Sequence, residues 1–195
     1  MGRPLRGAVL LAVGAFFVAG GCARDAGFRG AVAPAPEAGG SIRAPAANVI
    51  PGVPFLPQEE DTCGPSSLAM LLRFLGNEAE TGEIVRETRT AGLRGTLITD
   101  LAAAARRRGF EAEVVDLDLP RLEEKISEGV PVILLVDLGA WVVSRPHFLL
   151  AFGVIPEGVV AHSGREEGKV IPFPTLSGQW AKMGHMAVIV RRTVK

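Results

Sequence analysis

The chain is poor in cysteine and histidine, carries no net charge and lacks a long apolar run. Its 195 residues include two cysteines, three histidines and 21 basic residues against 21 acidic ones. Balanced charge gives no footprint for nucleic acid or for an anionic surface. The scattered histidines and cysteines lack metal-ligand spacing, so neither a metal nor a cofactor is expected. No phosphate-binding G-x-x-x-x-G-K loop and no internal repeat is present. The apolar run at residues 7–20, GAVLLAVGAFFVAG, is too short for a comfortable membrane span, which takes about 20 residues.

What is present begins at the N-terminus. Arg3 and Arg6 precede that run, and small residues lead from it to Cys22. A basic end, an apolar middle and small residues before a cut site read as an export signal. VAGGC also resembles the lipobox of bacterial lipoproteins, with Ala19 where leucine is usual and Ala23 after the cysteine. That resemblance implies a lipid on Cys22 and an outer-membrane address facing the periplasm. From residue 22 to about residue 50 the composition is Ala, Gly and Pro with scattered charge, which cannot bury a core and reads as a flexible tether. The expected organisation is a signal peptide at 1–21, a tether at 22–50 and one folded domain at 51–195. With 48% hydrophobic residues, a core for that domain is available.

An exported protein meets an oxidising compartment, where paired cysteines become disulfides. With Cys22 lipidated, Cys63 has no partner, and a leftover thiol there is either buried and inert or used. Its surroundings favour use. In QEEDTCGPSSLAMLLRFLG, Leu68, Leu71, Leu72 and Leu75 recur at helical spacing, Pro65 suits a first turn, and Gly76 with Asn77 supplies a stop. Cys63 then sits at a helix N-terminus, where unpaired N–H groups and the helix dipole favour the thiolate and lower its pKa. Gly64 is read as a small residue that lets a substrate approach.

The rest alternates helices with strands. Helices are expected at 81–90, at 97–109, in PRLEEKISEG and in LSGQWAKM. Strands are expected at 112–117, at 130–138, from His147, from Gly158, from Lys169 and in HMAVIVRR. Helices first and an antiparallel sheet after them make an α+β layout.

Three residues fit thiol catalysis: Cys63 at its helix end, His147 opening an apolar strand, and Gln58 five positions before the cysteine. A thiol needs a base to take its proton and donors aimed at the oxyanion. VPFLPQEEDTCGPSSLAMLLRFLG, then RGTLITDLAAAARRRGFEAEVVDLD, LEEKISEGVPVILLVD and PHFLLAFGV together resemble the bacteriocin-processing, double-glycine-leader cysteine peptidases, which have a papain-like fold. The resemblance spans most of residues 50–165. It implies Cys63 as nucleophile, His147 as base and acid, Gln58 in the oxyanion hole and a peptide or protein substrate. The family usually orients its histidine with Asp or Asn; here the matching position is Ser163, a hydroxyl without charge. Asp137 is a reserve orienting carboxylate or a turn tie. His162, beside Ser163 on a strand, faces the other way and is expected to be exposed or to pack. His185 is expected to be structural.

A cell-envelope thiol peptidase is the leading expectation. The alternatives are a non-catalytic peptide-binding module on a degenerate peptidase fold and a papain-like cell-wall amidase or amide transferase.

Overall fold

The computed structural model describes residues 47–59, 61–89 and 95–193, all within the second of two compact units, Ile42–Lys195. The expected signal peptide, Cys22 and the tether up to residue 46 lie outside the described residues. The elements run β1 (Asn48–Val49), α1 (Cys63–Phe74), α2 (Thr81–Thr88), α3 (Ile98–Arg107), β2 (Phe110–Asp116), α4 (Leu119–Ser127), β3 (Val132–Asp137), β4 (Pro146–Ile155), β5 (Gly158–Ser163), β6 (Glu166–Ile171), α5 (Phe173–Ala181) and β7 (Met186–Arg192).

All the strands join one sheet in the order β2-β7-β3-β4-β5-β6, with β1 paired to β4. Every pairing is antiparallel. The late strand β7 therefore completes this sheet, inserted between β2 and β3. β3, VILLVD, is buried at each position, as a continuous apolar run requires when both faces of a strand are covered. α1 packs on β4, α3 on β2 and β7, and α5 on β3 and β5.

α1 is buried from Gly64 to Leu72, so it runs through the core rather than over it. Pro65 falls in its first turn, where no N–H is needed. It ends on Gly76 at φ +84°, with Asn77 N–H donating to Leu72 O at 2.9 Å and Gly76 N–H to Arg73 O at 2.9 Å. That pair of bonds is a Schellman stop, and the left-handed φ is why glycine stands there. α4 begins on Asp118, whose Oδ1 accepts from Arg121 N–H at 2.9 Å.

Two stretches depart from the sequence reading. Asn48 and Val49, placed in the tether, form β1 against Val154 and Gly153, and Ile50 behind them is buried. β6 begins at Glu166 rather than Lys169, because Ser163 pairs with Glu166 across a tight turn made by Gly164, at φ +62°, and Arg165. That turn and the loop at 138–145 between β3 and β4 come to the same end of the sheet as the β4 start. The β3–β4 register sets Val136 opposite His147 and Asp137 opposite Pro146.

Candidate active site

Cys63 is the first residue of α1 and is half-buried. The main-chain N–H groups of Phe148, Gly64 and Cys63 itself favour the charged form of its sulfur. Phe148 directly follows His147, so this contact sets the thiol against the start of the strand that carries the imidazole. Gly64 does not face a substrate, contrary to the sequence reading. A Cβ there would lie 3.0 Å from Phe148 Cδ2 and 3.3 Å from Leu101 Cδ1, so glycine is what lets the helix end sit on β4.

His147 Nε2 lies 3.1 Å from Ser163 Oγ. The hydroxyl can accept the Nε2 proton, which leaves the Nδ1 lone pair as the basic atom. Alternation along β5 turns His162 to the opposite face. There it packs between Phe55 and Phe152, with Nδ1 accepting from Gly168 N–H at 3.1 Å and Nε2 3.2 Å from Val53 O. Of the exposed or packing role expected of His162, the fold shows the packing one. His185 precedes β7 at φ +55° with its ring edge-on to Trp180, away from the cleft.

Gln58 is buried and held from three directions. Its Nε2 donates to Ser67 Oγ at 2.9 Å, its Oε1 accepts from Gly164 N–H at 2.8 Å, and its backbone N–H donates to Gly164 O at 2.8 Å. The amide thus links the loop before α1 to α1 and to the β5–β6 turn. Sequence reasoning missed Ser67, although its i+4 relation to Cys63 puts both on one helix face. It also missed Gly164, whose role is purely main-chain and leaves no side-chain signal.

Asp137 does not reach the histidine. Its Oδ1 accepts from Gly139 N–H and Arg145 N–H, both at 2.7 Å, and those bonds hold its carboxyl below the usual range. The reserve orienting role falls away; Asp137 braces the 138–145 loop, whose Trp141 and Val142 stand fully exposed.

The electrostatics reverse one expectation. Burial pushes the Cys63 thiol above its ordinary value, the three N–H groups pull it back in part, and Asp61 adds a smaller push upward. The gain from the helix end is outweighed because the sulfur has lost most of its water. Burial, with help from Arg145 and then Lys169, pushes His147 down to about 4. At neutral pH Cys63 is therefore a thiol and His147 a neutral imidazole. Among the described residues no group of His, Cys, Asp and Glu could hold a metal ion.

The family model for the peptidase C39 family matches residues 54–183, from the loop before Gln58 to the end of α5. The chain belongs to the peptidase C39 family. Solved C39 structures share its fold. A C39-like peptidase from Bacillus anthracis has a TM-score of 0.63 at 18% identity, covering 77% of this chain and 100% of that one. The peptidase domain of Streptococcus ComA, a bifunctional ABC transporter of a quorum-sensing pathway, scores 0.60 at 17% identity over 73% and 100%. A double-glycine-motif protease from an AMS/PCAT transporter, in complex with its leader peptide, scores 0.59 at 20% over 76% and 99%. No curated protein matches the chain. The α+β fold expected from sequence is thus the papain-like fold of C39 cysteine peptidases, and the C39 match supports a cysteine peptidase function at that general level.

Proposed function

We propose that this C39 family member is a thiol-dependent peptidase of the cell envelope, acting through a Cys63 acyl-enzyme. The observation that carries the reading is the His147 Nε2–Ser163 Oγ contact at 3.1 Å. It ties up one ring nitrogen and leaves the other as base, on the residue next to Phe148, whose main-chain N–H favours the Cys63 thiolate. Nδ1 takes the thiol proton as the sulfur attacks the peptide carbonyl. The Cys63 N–H and the second Nε2 hydrogen of Gln58, the first being given to Ser67 Oγ, stabilise the oxyanion. The Nδ1 proton then passes to the leaving amine, and water, deprotonated by the same nitrogen, releases the acid. The Ser163 hydroxyl orients the ring but adds no charge.

The substrate is a peptide or protein, a reading supported by the leader-peptide complex of the AMS/PCAT relative. The export signal and lipobox favour a domain anchored through a lipid on Cys22 to the outer membrane, facing the periplasm. Incubating the full chain with cell-envelope peptides and wall fragments, followed by mass spectrometry, tests the reading. Cleavage of peptide bonds that disappears in Cys63→Ala and His147→Ala is the expected result. Cleavage confined to wall amides points to the amidase alternative, and binding without cleavage to the non-catalytic module. That last alternative draws on the uncharged residue behind His147. Cys22→Ser should abolish lipid labelling and membrane fractionation; unchanged fractionation removes the anchor.

A further inference from the structure

Arg145, on the loop entering β4, and Arg165, in the β5–β6 turn, line the same cleft of about 580 Å³ as His147 and Glu59. Some arginines of the fold find carboxylates: Arg73 lies 2.6 Å from Glu80, Arg191 lies 3.3 Å from Glu128, and Arg108 pairs with Glu87; Arg106 and Arg192 donate to the carbonyls of Ala112 and Leu75 instead. Neither cleft arginine has a side-chain hydrogen bond or ion pair among the described residues. Lys169, the other cation near His147, is paired with Glu166 at 2.7 Å. Of the nearby acidic groups, Glu59 lines the cleft and Asp61 acts on the thiol, both on the loop before α1, while Glu166 and Glu167 follow Arg165, Glu166 being paired with Lys169 and Glu167 acting on His162. One lip of the cleft therefore carries two exposed guanidinium groups with no carboxylate on them among the described residues.

We propose that Arg145 and Arg165 form a carboxylate-binding subsite, so that the cleft takes polypeptides with an acidic side chain or a free C-terminus near the scissile bond. A guanidinium presents a planar fork that matches a carboxylate in two parallel hydrogen bonds. The proposal rests on the thiol-peptidase reading and supplies what that site lacks. When His147 takes the thiol proton, the imidazolium faces Arg145 with only the neutral Ser163 hydroxyl behind it. A carboxylate seated between the arginines opposes their charge at that moment. The negative charge absent behind the ring then arrives with the substrate, and peptides lacking it leave the nucleophile largely neutral.

The test uses the full chain and two reagents of similar size and mechanism, anionic iodoacetate and neutral iodoacetamide. Their rate ratio at Cys63 cancels changes in thiolate fraction and reads the charge of the cleft. In Arg145→Gln/Arg165→Gln the ratio should fall roughly threefold or more, as expected when two unit charges within about one Debye length of the sulfur are removed. Arg145→Glu/Arg165→Glu should lower it further. Each single variant carries the same comparison should a double variant fail to fold. A ratio within about twofold of the unsubstituted chain in the variants overturns the subsite. A second arm offers matched peptides with internal Asp or Asn, and with free or amidated C-termini. Preferential cleavage of the Asp set assigns a side-chain carboxylate, and of the free set a terminal one; equal cleavage of all sets overturns the proposal. Loss of the iodoacetate preference with every peptide uncut sinks the peptidase reading and leaves the subsite standing.

Discussion

Replacing Ser163 with Asp puts a carboxylate where the hydroxyl now meets His147. Ser163 Oγ is 3.1 Å from Nε2, and both groups are largely shielded from solvent. Two unit charges about 4 Å apart attract by about 4 kcal/mol at an effective dielectric of 20. Burying the new carboxylate returns about half of that, leaving about 2 kcal/mol in favour of the imidazolium. One pKa unit is about 1.4 kcal/mol, so His147 should rise from about 4 to roughly 5.5. A stabler imidazolium stabilises the thiolate beside it, and Cys63 should alkylate faster at neutral pH by roughly tenfold. The assay is an NMR titration of the imidazole Cε1 proton, assigned with His147→Ala, run beside a pH profile of iodoacetamide labelling. Ser163→Ala serves as control: it removes the acceptor, adds no charge and should not raise the pKa. Suppose the Ser163→Asp variant is folded, as judged by its NMR spectrum, yet neither the His147 titration nor the labelling profile moves. That result would refute the proposal that residue 163 orients and tunes the ring.

The other predictions concern the frame around the site. Gln58→Ala removes the side-chain bonds to Ser67 and Gly164 and should cost about 2–3 kcal/mol, lowering Tm by roughly 5–10 °C in a thermal melt; an unchanged Tm contradicts the clamp. Gly64→Ala drives a methyl to 3.0 Å from Phe148 and should destabilise by about 1–3 kcal/mol in denaturant titration, whereas an entrance-lining glycine would tolerate it. His147 and His162 both have lowered pKa values in the fold, so the unfolded chain binds more protons than the folded one below about pH 6.5. Stability should therefore be full above that pH and fall as pH drops toward about 4, with His147 contributing about 2 kcal/mol after allowance for its partial exposure. Urea midpoints across that window check it, and His147→Phe should flatten the slope.

Most of the elements and the residues of the candidate site were legible along the chain. Apolar periodicity marked α1 and β3, because burial imposes a repeat that side chains reveal. Pro65 and Gly76 marked the ends of α1, because backbone geometry at a first turn and at a left-handed stop selects those residue types. Alternation along β5 sufficed to separate Ser163 from His162, since adjacent strand residues point to opposite faces. β1 stayed hidden because two residues carry no period, and the start of β6 because a two-residue turn is set by pairing across it. The charge state of the Cys63–His147 pair needed the folded molecule. A helix end taken alone argues for a thiolate, but the water that Cys63 and His147 lose is displaced by distant segments, and that desolvation outweighs the local dipole. It was likewise packing between distant segments that set Gly164 behind Gln58 and brought Arg145 and Arg165 to one cleft, because main-chain contacts and pairings between residues far apart in sequence exist only once the sheet has formed.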